Sequence, residues 1–320
     1  MNPLKLDPYK EIINGWLDDD RNNFSKQRHT YRRIKERFEV EHGFICAYGT
    51  VADYVRKVRK TEPKKASLDL SWGSAFAQAD AMVEGVRLRM HYLVLFFPFS
   101  NMGYAQVFFS ETGECICEGL QAIFRHIGGV PPVIIFDNAS GLGRRVRSGF
   151  IESELFSRFR AHMNFEARYC SPTSGNEKGN AERKVAFLRT QLFVPVPTID
   201  DIELFNIELL GRCAFQEGEL HYAKKVRQGE LFNRDASALS VLPTKTFNAV
   251  RYEVVTSNGW GHVKVDGNHT YSSVPENVNT ETIVGIGAHT ITVMDMAGSV
   301  IATHKRSFGR EKTERIDALS

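Results

Sequence analysis

Gly128-Gly129-Val130-Pro131-Pro132-Val133-Ile134-Ile135-Phe136-Asp137-Asn138 is the stretch that decides how this chain folds. Residues 114–126 before it carry Ile116, Leu120, Ile123 and Phe124 at helical spacing, and paired glycines are a helix stop. The two prolines cannot continue a helix, and the four apolar residues that follow are too few to be one. They read as a strand buried on both faces, the kind found in parallel sheets, with Asp137 at its carboxyl end. Working upstream, residues 75–83, the turn Glu84-Gly85, residues 86–97 and residues 105–109 form three strand-like runs joined by hairpin signals. Downstream, residues 150–162 read as a helix, 165–169 as a short strand and 180–192 as a helix. Hairpin strands, a crossover helix and a buried strand imply an α/β chain with a mixed sheet covered by helices.

On either side the pattern changes. Residues 7–17, 30–42 and a segment starting at Thr50 are amphipathic helices, the second with Ile34 and Phe38 inward, the third with Val51, Tyr54, Val55 and Val58 inward. Thr50 reads as the third helix's N-cap, and basic residues gather toward its end. Two helices joined by a short turn fit a helix-turn-helix, with an ordinary three-helix bundle equally compatible with the periodicity. Residues 61–67 are a polar, proline-containing linker. Beyond the helical stretch at 199–222 and a connector to 247, five short strands with tight turns read as a small β-barrel, followed by a polar tail.

The net charge of +3 over 320 residues is too small to demand a polyanionic partner, yet the basic residues cluster at 28–37, 56–65, 144–147 and 178–189. The apolar run 92–99 is far short of a bilayer span, and no signal-peptide pattern opens the chain, so an intracellular protein is expected. Cys46, Cys115, Cys117, Cys170 and Cys213 are odd in number and lack a C-x-x-C framework, which fits structural thiols.

Three carboxylates stand out: Asp80 in Ala-Gln-Ala-Asp, Asp137 ending the buried strand, and Glu182 opening the last helix of this region. An acid at the end of a rigid strand with two others alongside can hold a pair of divalent metals across a phosphodiester. Taken with His91-Tyr92-Leu93-Val94-Leu95, Pro98-Phe99-Ser100-Asn101, Phe136-Asp137-Asn138, Ser174-Gly175-Asn176-Glu177-Lys178-Gly179-Asn180-Ala181-Glu182 and Val194-Pro195-Val196-Pro197, the chain resembles IstA-type transposases of bacterial insertion sequences. These belong to the retroviral-integrase-like DDE superfamily.

The resemblance implies an RNase H-like core at 68–198 between a helix-turn-helix domain at 1–60 with its linker at 61–67 and a helical extension and connector at 199–247. A small β-barrel at 248–305, with Tyr271-Ser272-Ser273-Val274-Pro275, and a polar tail at 306–320 complete it. It implies Asp80, Asp137 and Glu182 as catalytic and metal-binding acids, with Glu177 competing for the third place and Asp69 for the first. It implies two Mg2+ or Mn2+ ions and cutting and joining of DNA strands. Partners would be double-stranded DNA (terminal inverted repeats and target), further copies of the chain and an AAA+ ATPase helper, in the bacterial cytoplasm at the nucleoid. Arg32, Arg33, Thr50, Arg56 and Lys57, and around the acids Arg144, Arg145, Lys178, Arg183, Lys184 and Arg189, are the residues expected to touch DNA. Two departures are plain. After Asp80 the first strand is about five residues short of the family pattern, and the chain begins close to where the family has an additional small helix-turn-helix module ahead of Leu6. The alternatives are an inactive or truncated DNA-binding remnant or repressor, and a structure-selective nuclease on the same fold.

Overall fold

Three helices, α1 (Lys10–Asn22), α2 (Tyr31–His42) and α3 (Tyr48–Thr61), build the first of two units into which the chain divides, Met1–Asp69 and Leu70–Ser320. The computed structural model describes residues 6–22, 29, 31–43, 47–61, 72–136, 140–146, 149–169, 175–267, 269–308 and 313–316. In the first unit Ile13, Trp16, Leu17, Ile34, Phe38, Val51 and Val55 share one buried core, and Tyr54 packs against it. The Tyr54 hydroxyl donates to Asn14 Oδ1 at 3.1 Å, so Tyr54 serves the bundle and not an outer reading face. The third helix starts at Tyr48, which puts Thr50 in its first turn and not at the N-cap expected from sequence.

The second unit is organised by one sheet. Strands β1 (Trp72–Val83) and β2 (Val86–Phe97) are joined by Glu84-Gly85, both at positive φ (50° and 77°), the two-residue turn whose twist matches the strands it joins. Strand β3 (Met102–Phe108) pairs antiparallel with β2, and helix α4 (Gly113–Ile127) crosses over to β4 (Val133–Phe136), which pairs parallel with β1. The crossover ends as the sequence predicts: Gly128 adopts φ 77° and its N–H bonds the carbonyls of Arg125 and Phe124. A small hairpin, β5 (Gly143–Val146) with β6 (Gly149–Glu152), precedes α5 (Glu154–Met163), so residues 150–152, expected in a helix, are strand. Strand β7 (Glu166–Tyr169) adds parallel to β4, and α6 (Gly175–Phe193) leads to the short β8 (Thr198–Ile199). The order is β3-β2-β1-β4-β7, with β8 beside the far end of β1.

Helix α7 (Ile202–Arg212) packs on β3 through the Asn206 side chain, which exchanges hydrogen bonds with the Val107 backbone at 2.6 and 2.9 Å. After α8 (Gln228–Ser237) come β9 (Arg251–Thr256), β10 (Val263–Val265), β11 (His269–Tyr271), β12 (Glu281–Ile286), β13 (Thr290–Met294), β14 (Val300–Lys305) and β15 (Thr313–Ile316). They form two sheets, β14-β13-β12-β9 and β10-β11-β15, over a core of Val263, Val265, Tyr271, Val284, Ile286, Ile291 and Val293. This corrects the expected small barrel, since no closed barrel forms among the described residues, and β15 recruits part of the expected polar tail to the sheet. Glu114 on α4 receives Arg251 at 2.8 Å and Arg306 at 3.5 Å, and Asp266 binds the same two guanidiniums at 3.1 and 2.9 Å. Cys115, Cys117 and Cys213 are buried free thiols; burial pushes Cys115 up to about 11, as suits structural roles. Among the described residues no helix is long and apolar enough to cross a membrane.

Candidate functional site

The end of β4 and the middle of α6 lie at one level along the strands, with Lys184 of α6 over β3 and β4 three strands away in the order β3-β2-β1-β4. Phe136, the last residue of β4, pairs with Ser74 on β1, and Ser74 pairs with Leu95 on β2. Helix α6 crosses the same level. Its Lys184 ammonium donates to the Asn101 carbonyl and to Gln216 Oε1, directly over Gly103, which pairs with Phe96 and through it reaches Gly73 beside Ser74. Glycine allows this close approach, because a Cβ on Gly103 would stand 2.7 Å from Lys184 Cε and 3.1 Å from Leu188 Cδ1 and would force them to shift. Farther along α6, the Tyr92 hydroxyl donates to the Val185 carbonyl and accepts from Arg189 Nε, each at 3.1 Å, and Phe193 packs on Tyr92 with ring centroids 4.9 Å apart. Tyr92 pairs with Ala77, so α6 runs from the level of Gly73 toward that of Ala77. Glu182 lies in α6 two residues before Lys184. Its side chain, those of Glu177 and Lys178, and all of Asp69 and Asp137 lie outside the described residues.

Asp80 is the correction. It lies on β1 six residues past Ser74, and at about 3.3 Å per residue that is roughly 20 Å from the level where β4 ends. Its carboxylate is held instead by two arginines of β2, Arg87 at 2.7 Å and Arg89 at 3.3 Å, whose hydrogen bonds keep its pKa below the usual carboxylate value. Around it β1 has already left β4 behind and pairs with β8, Met82 donating to the Pro197 carbonyl at 2.8 Å. The physical reason is the shortened strand. With Val83 paired to Val86 across a two-residue turn, the hairpin has no slack, and Asp80 is drawn toward its tip. Ser74, 3% exposed, occupies β1 at the level of β4's end.

The basic residues divide. In the helical unit Arg32 and Arg33 pair with Glu36 at 3.1 and 3.5 Å, Arg56 pairs with Asp53 at 2.7 Å, and Thr50 and Lys57 are exposed or partly so. In the second unit Arg144, Arg183 and Arg189 are exposed; the side chain of Arg145 is outside the described residues. Lys184 contradicts its expected DNA role. It is 4% exposed, burial pushes its ammonium down to about 7, and its bonds tie α6 to the β2–β3 turn and to Gln216. His91 Nδ1 lies 2.9 Å from Glu111 Oε1, and His126 stacks edge-on to Tyr104 with ring centroids 5.5 Å apart. Sequence reading missed Tyr92 and Gln216 as the partners that seat α6; their polar atoms acquire meaning only once a helix 93 residues from the first and a strand 113 residues from the second stand beside them.

The transposase of insertion sequences IS1326/IS1353 from Pseudomonas aeruginosa is 26% identical over 328 aligned residues, covering 97% of this chain and 64% of that protein. The chain is related to insertion-sequence transposases along nearly its whole length. A transposase from Aminobacter aminovorans is 27% identical over 66% of this chain and 44% of its own, and the IS21 transposase of Pseudomonas aeruginosa 25% identical over 85% and 70%. The chain thus spans less than two thirds of the length of the first two of these relatives. No family model matches. Among solved structures, a simian T-cell lymphotropic virus intasome chain aligns over 86% of this chain and 96% of its own, with TM-score 0.40 and 13% identity.

Proposed function

We propose that this chain is a DDE-type transposase that cuts and joins DNA strands at insertion-sequence ends, with an RNase H-like core at its centre. The observation that carries the reading is the similarity to a transposase over 97% of the chain, joined to a sheet in which β4 and α6, the elements of Asp137 and Glu182, come to one level. Carboxylate oxygens are the donors a hard divalent cation such as Mg2+ takes, and Asp137, following β4, and Glu182, within α6, are the acids that would hold it. Asp80, committed to Arg87 and Arg89, does not fit. Asp69, or no acid at all, is then the alternative for the first place. When bound, the metals would supply a lowered pKa at the attacking oxygen and charge neutralisation at the leaving one.

The chain's own work is positioning. Asp137 is the residue that follows β4 in sequence. Glu182 is anchored because Lys184, Tyr92 and Gly103 fix α6 against the sheet. Arg183 and Arg189 on α6, Lys178 near its start, and Arg144 and Arg145 on the β5–β6 hairpin grip phosphates beside the acids. The phosphodiester is held there for in-line attack, first by water and then by a DNA 3′-hydroxyl, with no covalent link to protein. The helical unit holds end DNA through Arg32, Arg33, Thr50, Arg56 and Lys57 in a helix-turn-helix manner. Pairing of two ends calls for a second copy of the chain, and a helper ATPase follows from family resemblance.

Asp137→Asn and Glu182→Gln are expected to abolish Mg2+-dependent nicking and strand transfer while duplex binding persists. A specific observation favours one second reading: Ser74, not an acid, stands on β1 level with the end of β4, as in a DNA-binding remnant. Full duplex binding by the parent chain without cleavage in Mg2+ or Mn2+ would establish that reading instead.

A further inference from the structure

Beside α6 lies a cavity of about 340 Å3 that the proposed reaction does not use. Arg183, next in the chain after Glu182, lines it, and so do Phe187, Leu220, Tyr222 and Gln228. Two of these are aromatic and unusually open. Tyr222 is 67% exposed, and one face of its ring rests on His221 with centroids 4.6 Å apart and planes 22° from parallel. His221 is itself fixed, its Nδ1 accepting from the backbone N–H groups of Ala223 and Lys224 at 3.1 Å each. The tyrosine ring is therefore backed on one side and presented to solvent on the other. Phe187 forms a second ring wall, packed on Phe215 at 5.9 Å.

The deeper wall is polar and incomplete. Gln228 is 4% exposed, and its Oε1 is buried with no hydrogen-bond partner among the described residues. Its backbone N–H is used, donating to the Glu219 carbonyl at 2.9 Å, which holds the residue at the start of α8. A buried amide oxygen without a donor costs about 1 to 3 kcal/mol, so the site is built for something that supplies one. An apolar occupant would leave the cost in place. An anion would meet Arg183 and Lys184, which also line the cavity, but would set negative charge against the carbonyl oxygen and leave its cost in place. A flat aromatic group with amino or ring N–H on its edge satisfies the amide and stacks on the exposed ring at once.

We propose that this cavity receives a nucleobase turned out of the DNA duplex beside the cleavage position, stacked on Tyr222 and hydrogen-bonded on its edge by Gln228. The inference rests on the transposase reading, which brings DNA to α6. Bases offer π-faces to aromatic platforms whatever their identity, and every base carries an N–H on its edge that Gln228 Oε1 can accept, so the pocket binds a swung-out base without choosing its sequence. Arg183 at the rim has the charge to hold the phosphate of the same nucleotide.

The test uses the full chain in Ca2+ with three labelled duplexes of one sequence, one fully paired, one with a single-nucleotide 2-aminopurine flap and one with an abasic flap. The 2-aminopurine flap is expected to bind about tenfold more tightly than the abasic flap, in line with alanine-substitution losses at base-stacking rings, and its fluorescence is expected to change on binding. Tyr222→Ala and Gln228→Leu should each remove most of that preference and leave affinity for the fully paired duplex, and its salt dependence, unchanged. Tyr222→Phe, which keeps the ring, should retain it and shows that any loss is not misfolding. Equal affinity for the two flaps, with paired duplex bound normally, overturns the base pocket and leaves the transposase reading standing. Absence of duplex binding altogether overturns both.

Discussion

Asp80→Asn separates the family pattern from this chain's own geometry. A pair of catalytic metals lies about 4 Å apart with metal–oxygen bonds near 2.1 Å, so carboxylates sharing them must lie within about 8 Å of one another. The six residues between Ser74 and Asp80 put Asp80 roughly 20 Å along β1 from the level of Phe136, which precedes Asp137. No rotamer closes that gap. Losing a true metal-binding carboxylate removes several kcal/mol of transition-state stabilisation, on the order of a thousandfold in rate. Asp80→Asn is instead expected to leave Mg2+-dependent strand transfer on a paired-end substrate within about threefold of the parent, whereas Asp69→Asn loses it. The assay is best run near pH 7. Asp80's carboxyl is depressed in the folded chain, so its ion pairs with Arg87 and Arg89 are complete above the ordinary carboxylate range and fail only as pH falls through the depressed value. A thousandfold loss in Asp80→Asn with the fold intact would refute the register argument. It would require β1 to pair with β4 about six residues out of the register described.

In the first unit, replacing Arg56 and Lys57 with alanine in the full chain should weaken duplex binding and reduce the slope of log affinity against log salt by about one for each phosphate no longer gripped, as filter-binding titrations would read; an unchanged slope points to a protein-binding bundle. Gly103→Ala should destabilise the second unit by about 1 to 3 kcal/mol in urea melts, since its methyl meets Lys184 and Leu188, and should lower cleavage with it by displacing α6. Glu114→Ala strips a carboxylate from the buried Arg306 and the half-buried Arg251, and a loss of about 3 to 5 kcal/mol is expected. Asp235 is fully buried, with its Oδ1 unpartnered and Oδ2 accepting from the Ser100 N–H at 3.1 Å, and burial raises its carboxyl to about 6. Between the ordinary carboxylate value and 6 the folded chain therefore holds a proton that the unfolded chain has released. Stability should rise as pH falls from 7 toward 5 and level off below about 4, and Asp235→Asn should remove that rise while stabilising the fold at pH 7 by about 2 to 3 kcal/mol.

What could be read ahead of the structure was set by local physics. The apolar run 133–136, the paired glycines and the helical spacing of 114–126 each dictate their element without help from distant chain, and β4, Gly128 and α4 follow them. Ile34, Phe38, Val51 and Val55 likewise announce a helical core by periodicity alone. Register, burial of a charge and sheet closure are decided by partners far away in sequence. Lys184 looks like one more cation in a basic run until Asn101, Gly103 and Gln216 enclose it. Residues 251–305 alternate like barrel strands, yet the sheets they make remain two. Asp80 is the sharpest case, because the motif and the hairpin compete for the same residues. Ala-Gln-Ala-Asp matches the approach to a catalytic acid, but a strand five residues short, closed by a two-residue turn, fixes where every later residue must stand. A turn that tight overrules a motif, since slipping the hairpin by several residues would break its whole ladder of backbone hydrogen bonds, while leaving Asp80 at the tip costs only an exposed ion pair. The hairpin is the reason Asp80 stands six residues along β1 from the level where β4 ends.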